Sequence, residues 1–322
     1  MSAHRHGLEP LDFHGLRTTS LKDRPSKVCV DDFGKPWEPG NGLSNFLDRL
    51  PKVLAATQLR GAVVAIASAF RGNRTILLGM GAHPIKVGLN PILIDAMERG
   101  ILAGLALNGA GVVHDVELAL AGKTSEDVAA HLNQGQFGTA RETAEFVHDA
   151  VASGFRAGNR GMGRAVGEKL LREGAPYAHL SLLAMAARLD LPVTVHVALG
   201  TDIIHMHPAM DGAATGALSH YDFRLFCRLV STLQRGVFIN LGSAVIIPEV
   251  FLKAVSVARN LGFSLEGITT INMDFQRQYR TQVNVVERPT CGTGSGINLI
   301  GHHEIMFPLL MAAVLEQLER RT

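Results

Sequence analysis

The residues of this chain with the types and spacing for chemistry fall in a few short runs. The most informative is Leu105–Leu118, LALNGAGVVHDVEL. Apolar residues up to Leu107 suit a central parallel strand, which is covered on both faces. Asn108, Gly109, Ala110 and Gly111 then form a turn in which glycine lets the backbone bend sharply beside a ligand. The helix that follows begins with unpaired backbone N–H groups, the arrangement that attracts phosphates, and carries His114, Asp115 and Glu117 in its first turns. A nucleotide suits such an edge. The run is shorter than the G-x-G-x-x-G fingerprint, and strand-to-helix turns also use glycine for geometry alone. A second constellation is IIHMHP, in which His205 and His207 face one way if the chain is extended. With His196, Asp202, Asp211 and the run His302-His303-Glu304 they supply nitrogen and oxygen donors for a divalent metal, although the spacing is not H-E-x-x-H.

Strands and helices in alternation must position these groups. A helical pattern over Leu43–Ala69 leads to a strand, Thr75–Leu78, that ends in Gly79-Met80-Gly81-Ala82. A helix begun by Asn90 and Pro91, a strand over Leu102–Leu107 and a helix over Val112–Ala121 follow, which is the β-α-β-α order of a parallel sheet. After a charged, glycine-interrupted helical insertion at residues 124–174, whose arginines suit a solvated face, the alternation resumes. It gives strands at Val193–Ala198, Val237–Leu241 and Gly267–Ile271, with helices at Ala178–Leu189, Asp222–Gln234, Glu249–Asn260 and His303–Arg320. Five strands therefore end in small or polar clusters, and ligands of open α/β sheets bind at such carboxyl ends. The expected architecture is one α/β domain at residues 43–322, a doubly wound parallel sheet. A polar, proline-dotted arm at residues 1–42, anchored by Trp37, wraps its own core or a neighbour's.

Composition narrows the function. The 322 residues are 47% hydrophobic and 19% charged, enough for a sizeable core. Lysine and arginine total 31 against 29 acidic residues, so the charge of +2 predicts no nucleic-acid partner and no anionic membrane surface. The apolar-and-small run from Gly61 to Phe70 is far short of the ~20 residues that span a bilayer, and MSAHRHGLEP lacks an apolar signal core. Scattered Cys29, Cys227 and Cys291 form no C-x-x-C pair and suit a reducing compartment, with Cys29 and Cys227 as inert packing residues and Cys291 exposed. The expectation is a soluble, cytoplasmic protein with a small-molecule ligand.

Six segments in order, GMGAHPIKVG, NGAGVVHD, VALGTDIIHMH, FINLGSAVIIPEVFLKA, TTIN and IMFPLLMAAVLE, give the chain a distant resemblance to the deoxyhypusine synthase family from about Thr75 to Leu315. Members of that family use NAD to transfer an aminobutyl group from spermidine. The resemblance implies a Rossmann-like, deoxyhypusine synthase-like NAD-binding fold and a homotetramer with sites at subunit interfaces. It also implies that NAD lies against His83 and Lys86, Asn108 to Gly111 with Asp115, Asp202, Gly242-Ser243, Asn272 and His302-His303. His114 stands where the first of two family carboxylates belongs.

The departures change the expected chemistry. Deoxyhypusine synthases form an imine on a lysine near the C-terminus, and only a primary amine can do so. The corresponding stretch here is Thr290-Cys291-Gly292-Thr293-Gly294-Ser295-Gly296, with no lysine after Lys253, and Pro248-Glu249 replace the family's histidine. The expectation is therefore an NAD-dependent protein acting on an amine-bearing small molecule, a transferase or lyase distinct from deoxyhypusine synthesis. His205, His207, His114 and Glu249 are candidate bases, and Lys86 a phosphate ligand or relocated amine. A metal-dependent hydrolase or lyase using the histidine and aspartate cluster, and a non-catalytic nucleotide- or polyamine-binding homologue, stand as alternatives.

Overall fold

The computed structural model describes residues 9–158 and 160–320. Six strands form one sheet: β1 (Ile76–Met80), β2 (Gly104–Asn108), β3 (Val193–His196), β4 (Val237–Leu241), β5 (Thr269–Asp274) and β6 (Ser295–Ile300). Every pairing is parallel, in the spatial order β3-β2-β1-β4-β5-β6. Thus the chain winds outward in one direction to β3, returns to the centre and winds the other way. The helices are α1 (Leu43–Arg49), α2 (Leu54–Arg71), α3 (His83–Lys86), α4 (Asn90–Glu98), α5 (Gly109–Ala121), α6 (Val128–Leu132), α7 (Arg141–Ala157), α8 (Met162–Arg172), α9 (Leu182–Arg188), α10 (Gly212–Val230), α11 (Ile246–Asn260), α12 (Tyr279–Thr281) and α13 (His303–Glu319). A π-helical segment, Gln282–Glu287, follows α12.

Strand sequences such as ILLGM and VFINL are buried at every position because helices cover both faces. Alternate residues Ile76, Leu78, Ile239 and Leu241 meet one layer, including α2, α4, α5, α9 and α13, while Leu77, Ala106 and Phe238 meet α10 and α11 on the other. Phe238 stacks on Phe251 of α11 with ring centroids 3.7 Å apart. Gly79 admits that helix, since a Cβ there would lie 2.4 Å from Ile247 Cγ2.

Three differences from the sequence expectations have physical causes. The stretch ending in Gly294-Ser295-Gly296, outside the strands expected from sequence, leads into the sixth strand, an edge strand whose neighbour β5 supplies its pairing. The insertion at residues 124–174 also contributes to the core, because Val147, Val151, Met162, Val166 and Leu170 are buried. The arm does not wrap its own core: Leu11, Phe13, Leu16, Val30 and Phe33 are exposed, as is Cys29. It attaches through Lys35 N–H to the Arg49 carbonyl and Lys52 N–H to the Asp32 carbonyl, with Trp37 edge-on to Phe46.

A row of amides crosses the second half of the sheet. Asn240, Asn272 and Asn298 are register partners on β4, β5 and β6. Each donates to the next at 2.8 Å, and Asn298 donates to Gln282 Oε1 at 3.1 Å. Asn272 is thus a sheet residue committed to its neighbours, and Asn240 also donates to the Ser243 carbonyl at 3.0 Å.

Candidate functional site

Strand order reverses between β1 and β4, the place where ligands bind in open α/β sheets because the connecting segments leave in opposite directions. Gly81 N–H donates to the Leu241 carbonyl at 3.2 Å, drawing the two strand ends together. A Cβ on Gly81 would lie 2.5 Å from the Gly242 carbonyl oxygen, and one on Gly242, at φ +64°, would lie 2.8 Å from the His303 ring. Glycine at both positions lets the two strand ends and the His303 ring pack in contact.

Two histidines meet at this point. His83 opens α3 and His303 opens α13, and their Nδ1 atoms are 2.8 Å apart. The half-exposed Phe275 ring lies against both, with centroids 5.9 Å from His83 and 6.1 Å from His303. His303 is buried, and its Nε2 has no well-formed hydrogen bond. Burial, and then His83, lowers its proton affinity, while Asp274, the Met273 carbonyl and Glu304 act the other way. His302 precedes the helix without a side-chain cap, so the first N–H groups of α13 are free of one.

The turn from β2 into α5 is closed instead by the chain itself. Asn108 Oδ1 accepts the Gly111 N–H at 2.9 Å. The Asp202 carboxylate lies over Gly109, with Oδ2 2.1 Å from where a Cβ would be, and accepts the Ala198 N–H at 3.0 Å, while the Ala110 N–H favours its charged form. Burial nevertheless raises its proton affinity. The anion cradle expected at Asn108–Gly111 therefore already holds an internal carboxylate.

The other expected groups divide in the same way. Asp115 is fully buried and faces α9: its oxygens accept from Ser181 Oγ at 2.5 Å, Leu182 N at 2.7 Å, Leu183 N at 3.0 Å and Asn90 Nδ2 at 3.2 Å. Its duty is to cap that helix, in place of the cofactor contact that the resemblance implied. Burial pushes its pKa up to about 6 against these bonds. His114 meets Thr124 Oγ1 at 2.6 Å, and Ser243 Oγ accepts Ile247 N–H at 3.2 Å. Glu249 sits on the α11 surface with Lys253, Asn284 and Arg280, and Lys86 is exposed at the end of α3.

Beyond β3, His205 and His207 are not on an extended strand, because Ile203–Met206 form a 3₁₀ turn. His207 stacks on His148 of α7 with centroids 6.0 Å apart, and both His205 nitrogens are shut off without partners. No group of three or more histidine, cysteine or acidic side chains among the described residues is arranged to hold a metal ion. Sequence reasoning missed Asp222, a buried acid that accepts from Gly163 N–H at 3.1 Å and Val195 N–H at 2.9 Å. Burial pushes its pKa up to about 7. The available signal was Gly161, where a Cβ would fall 1.6 Å from Asp222 Oδ1.

Cavities lie away from the strand-order reversal, including one of about 310 Å³ beside Phe223, Cys227 and Phe263 and one of about 460 Å³ beside Cys291, which is exposed as expected. No helix of the described residues is long and apolar enough to cross a membrane.

No family model and no curated protein matches the chain. Solved structures do. AgrE, in a ternary complex with ornithine and NAD+, is 13% identical over 84% of this chain and 34% of its own length, with a TM-score of 0.52. The chain thus spans about a third of AgrE. A protein provisionally described as LOR/SDH from Methanococcus maripaludis S2 is 17% identical over 92% of this chain and 76% of its own, with a TM-score of 0.49. One provisionally described as a deoxyhypusine synthase from Entamoeba histolytica is 11% identical over 89% and 98%, also at 0.49. The chain has a doubly wound, Rossmann-like α/β fold, and it shares that fold with the matched third of AgrE.

Proposed function

We propose that the chain binds a nicotinamide dinucleotide across the carboxyl ends of β1 and β4 and uses it on a small amine-bearing molecule. The observation that carries this reading is the uncapped start of α13 at the point of strand-order reversal, with the buried, unpartnered Nε2 of His303 beside it. A helix start offers N–H groups and a partial positive charge to phosphate. The residues that would flank a dinucleotide are the partly exposed turn at Gly242, Ala244 and Val245, and the exposed His302. Bound there, the cofactor supplies a two-electron acceptor or donor of hydride. Lys86, one helical turn from His83 and exposed, would be the ligand of a phosphate. Asn108–Gly111 would join only if Asp202 moved away.

The fold shared with AgrE, whose structure holds NAD+ and ornithine, supports both the cofactor class and an amine ligand. Imine formation on a C-terminal lysine has no place in this reading. No lysine follows Lys253, and Gly296 is pressed against the π-helical segment, with a Cβ position 2.1 Å from the Val286 carbonyl oxygen. NAD+ at 100 times its dissociation constant should stabilise the protein by ~2.7 kcal/mol in thermal unfolding. Ala244→Glu, which sets a carboxylate in the turn after β4, should weaken that response at least tenfold. No response to any nicotinamide dinucleotide, or an undiminished response in Ala244→Glu, would overturn the proposal.

A further inference from the structure

We propose that His83 is the proton acceptor of this site, and that His303 is the positioning residue that holds its lone pair toward the crevice. The ligand it serves is an amine that arrives as its ammonium. This deepens the dinucleotide reading and rests on it for the chemistry that follows deprotonation.

The assignment comes from counting protons. With the Nδ1 atoms 2.8 Å apart, a neutral pair must have one N–H donor and one lone-pair acceptor between them. The far side of His303 decides which is which. Its Nε2 is its only uncommitted nitrogen, sealed from solvent and without a well-formed hydrogen bond, and the Met273 carbonyl favours a proton on the ring. With Nδ1 facing His83, the nitrogen left to take a proton that this carbonyl favours is Nε2. His303 therefore keeps its proton on Nε2 and accepts at Nδ1. His83 must then carry Nδ1–H and leave Nε2 as a lone pair. That atom has no hydrogen-bond partner among the described residues and is not sealed from solvent. It is a base held open.

The surroundings favour a cation in front of it. Phe275 presents a half-exposed ring beside His83, and aromatic faces attract ammonium groups. The Asp274 carboxylate lies behind the pair, close enough to stabilise positive charge on His303. Proton transfer is then simple to balance. An N–H bond of the ammonium breaks with its electron pair staying on nitrogen, and a new N–H bond forms at His83 Nε2. The products are a neutral amine and an imidazolium whose Nδ1–H still donates to His303. Only the neutral amine has the nitrogen lone pair that assists hydride loss from the adjoining carbon. None of the bases expected from sequence is placed like this: His205 is sealed, and Glu249 is paired on the surface.

Nitrogen-15 spectra of histidine-labelled full chain at neutral pH test the assignment without any ligand. His83 should show the Nδ1–H tautomer, the less common one for free histidine, and His303 the Nε2–H tautomer. His303→Ala, which removes the acceptor, should return His83 to Nε2–H, while His303→Asn, whose side-chain oxygen can replace Nδ1, should keep it at Nδ1–H. Finding His83 as Nε2–H in the unsubstituted protein would overturn the inference. If the variants do not fold, the unsubstituted spectrum decides alone. A failed nucleotide response would leave this result intact, so the two proposals fall separately.

Discussion

Replacing Asp115 separates the duty the structure gives it from the cofactor contact expected of it. The side chain receives four donors, two of them the first backbone N–H groups of α9. Alanine would leave all four in a site with no access to water. Each buried unsatisfied group costs about 1–3 kcal/mol, and partial relaxation keeps the total below the sum, so Asp115→Ala should cost about 4 kcal/mol. At a few degrees per kcal/mol, the midpoint should fall by roughly 10 °C. Asp115→Asn keeps one acceptor oxygen and should lose about half as much. The pH dependence adds a signature. Burial raises the folded-state pKa to about 6 from an unfolded value of 3.8, so the stabilising contribution is complete below pH 3.8 and disappears as pH rises through 6. Urea titrations between pH 4 and 7 should show that decline in the unsubstituted protein, and its absence in Asp115→Asn. A variant Asp115→Ala that melts within about 2 °C of the parent but no longer responds to NAD+ would refute the capping role and restore the ligand role.

Three further outcomes can be measured directly. His196 is buried, touches Thr194 Oγ1 at 3.0 Å and has a pKa pushed down to about 4, so the stability it contributes is present above the unfolded pKa of about 6.5 and is lost as pH falls through 4; His196→Gln should flatten the acid limb of the unfolding curve, and an unchanged limb counts against burial as the cause. Asp202→Asn weakens the self-made closure of α5, and it should lower stability by about 1 kcal/mol while leaving the NAD+ dissociation constant within roughly threefold. Loss of the nucleotide response at an unchanged melting temperature would show instead that Asp202 touches the ligand. Gly296→Lys should yield no borohydride-trapped imine and a loss of folded protein by circular dichroism, because the new Cβ meets the Val286 carbonyl oxygen at 2.1 Å.

The strands written in apolar residues were legible in the sequence: Val237–Leu241 matches β4 to the residue, and the order of strand and helix gives the doubly wound sheet. β6 was hidden because Gly294, Ser295 and Gly296 have little intrinsic strand preference, and the strand exists only by pairing with β5. The site was legible in part. His83, Gly242 and His303 came from the order of segments, and they do meet, although His83 and His303 are 220 residues apart. Asp115 and Asp202 were legible as polar residues near a glycine turn, but not as caps. Asp115 meets partners 67 and 68 residues away, and Asp202 reaches across the fold to Gly109. A carboxylate that serves a ligand and one that serves a distant helix look alike until the chain is folded.

The amide row through Asn240, Asn272, Asn298 and Gln282 bears on how the last two strands find their places. Greasy side chains tolerate several near-equivalent alignments, whereas an amide displaced by one position would point to the opposite face and strand its donors in a dry interior. β6 buries only Ile297 and Leu299, so the amide row adds a polar constraint to its alignment. The row therefore acts as a ratchet for assembly, and a swap of Asn272 for leucine would leave a sheet of similar bulk whose outer strands settle into more than one arrangement.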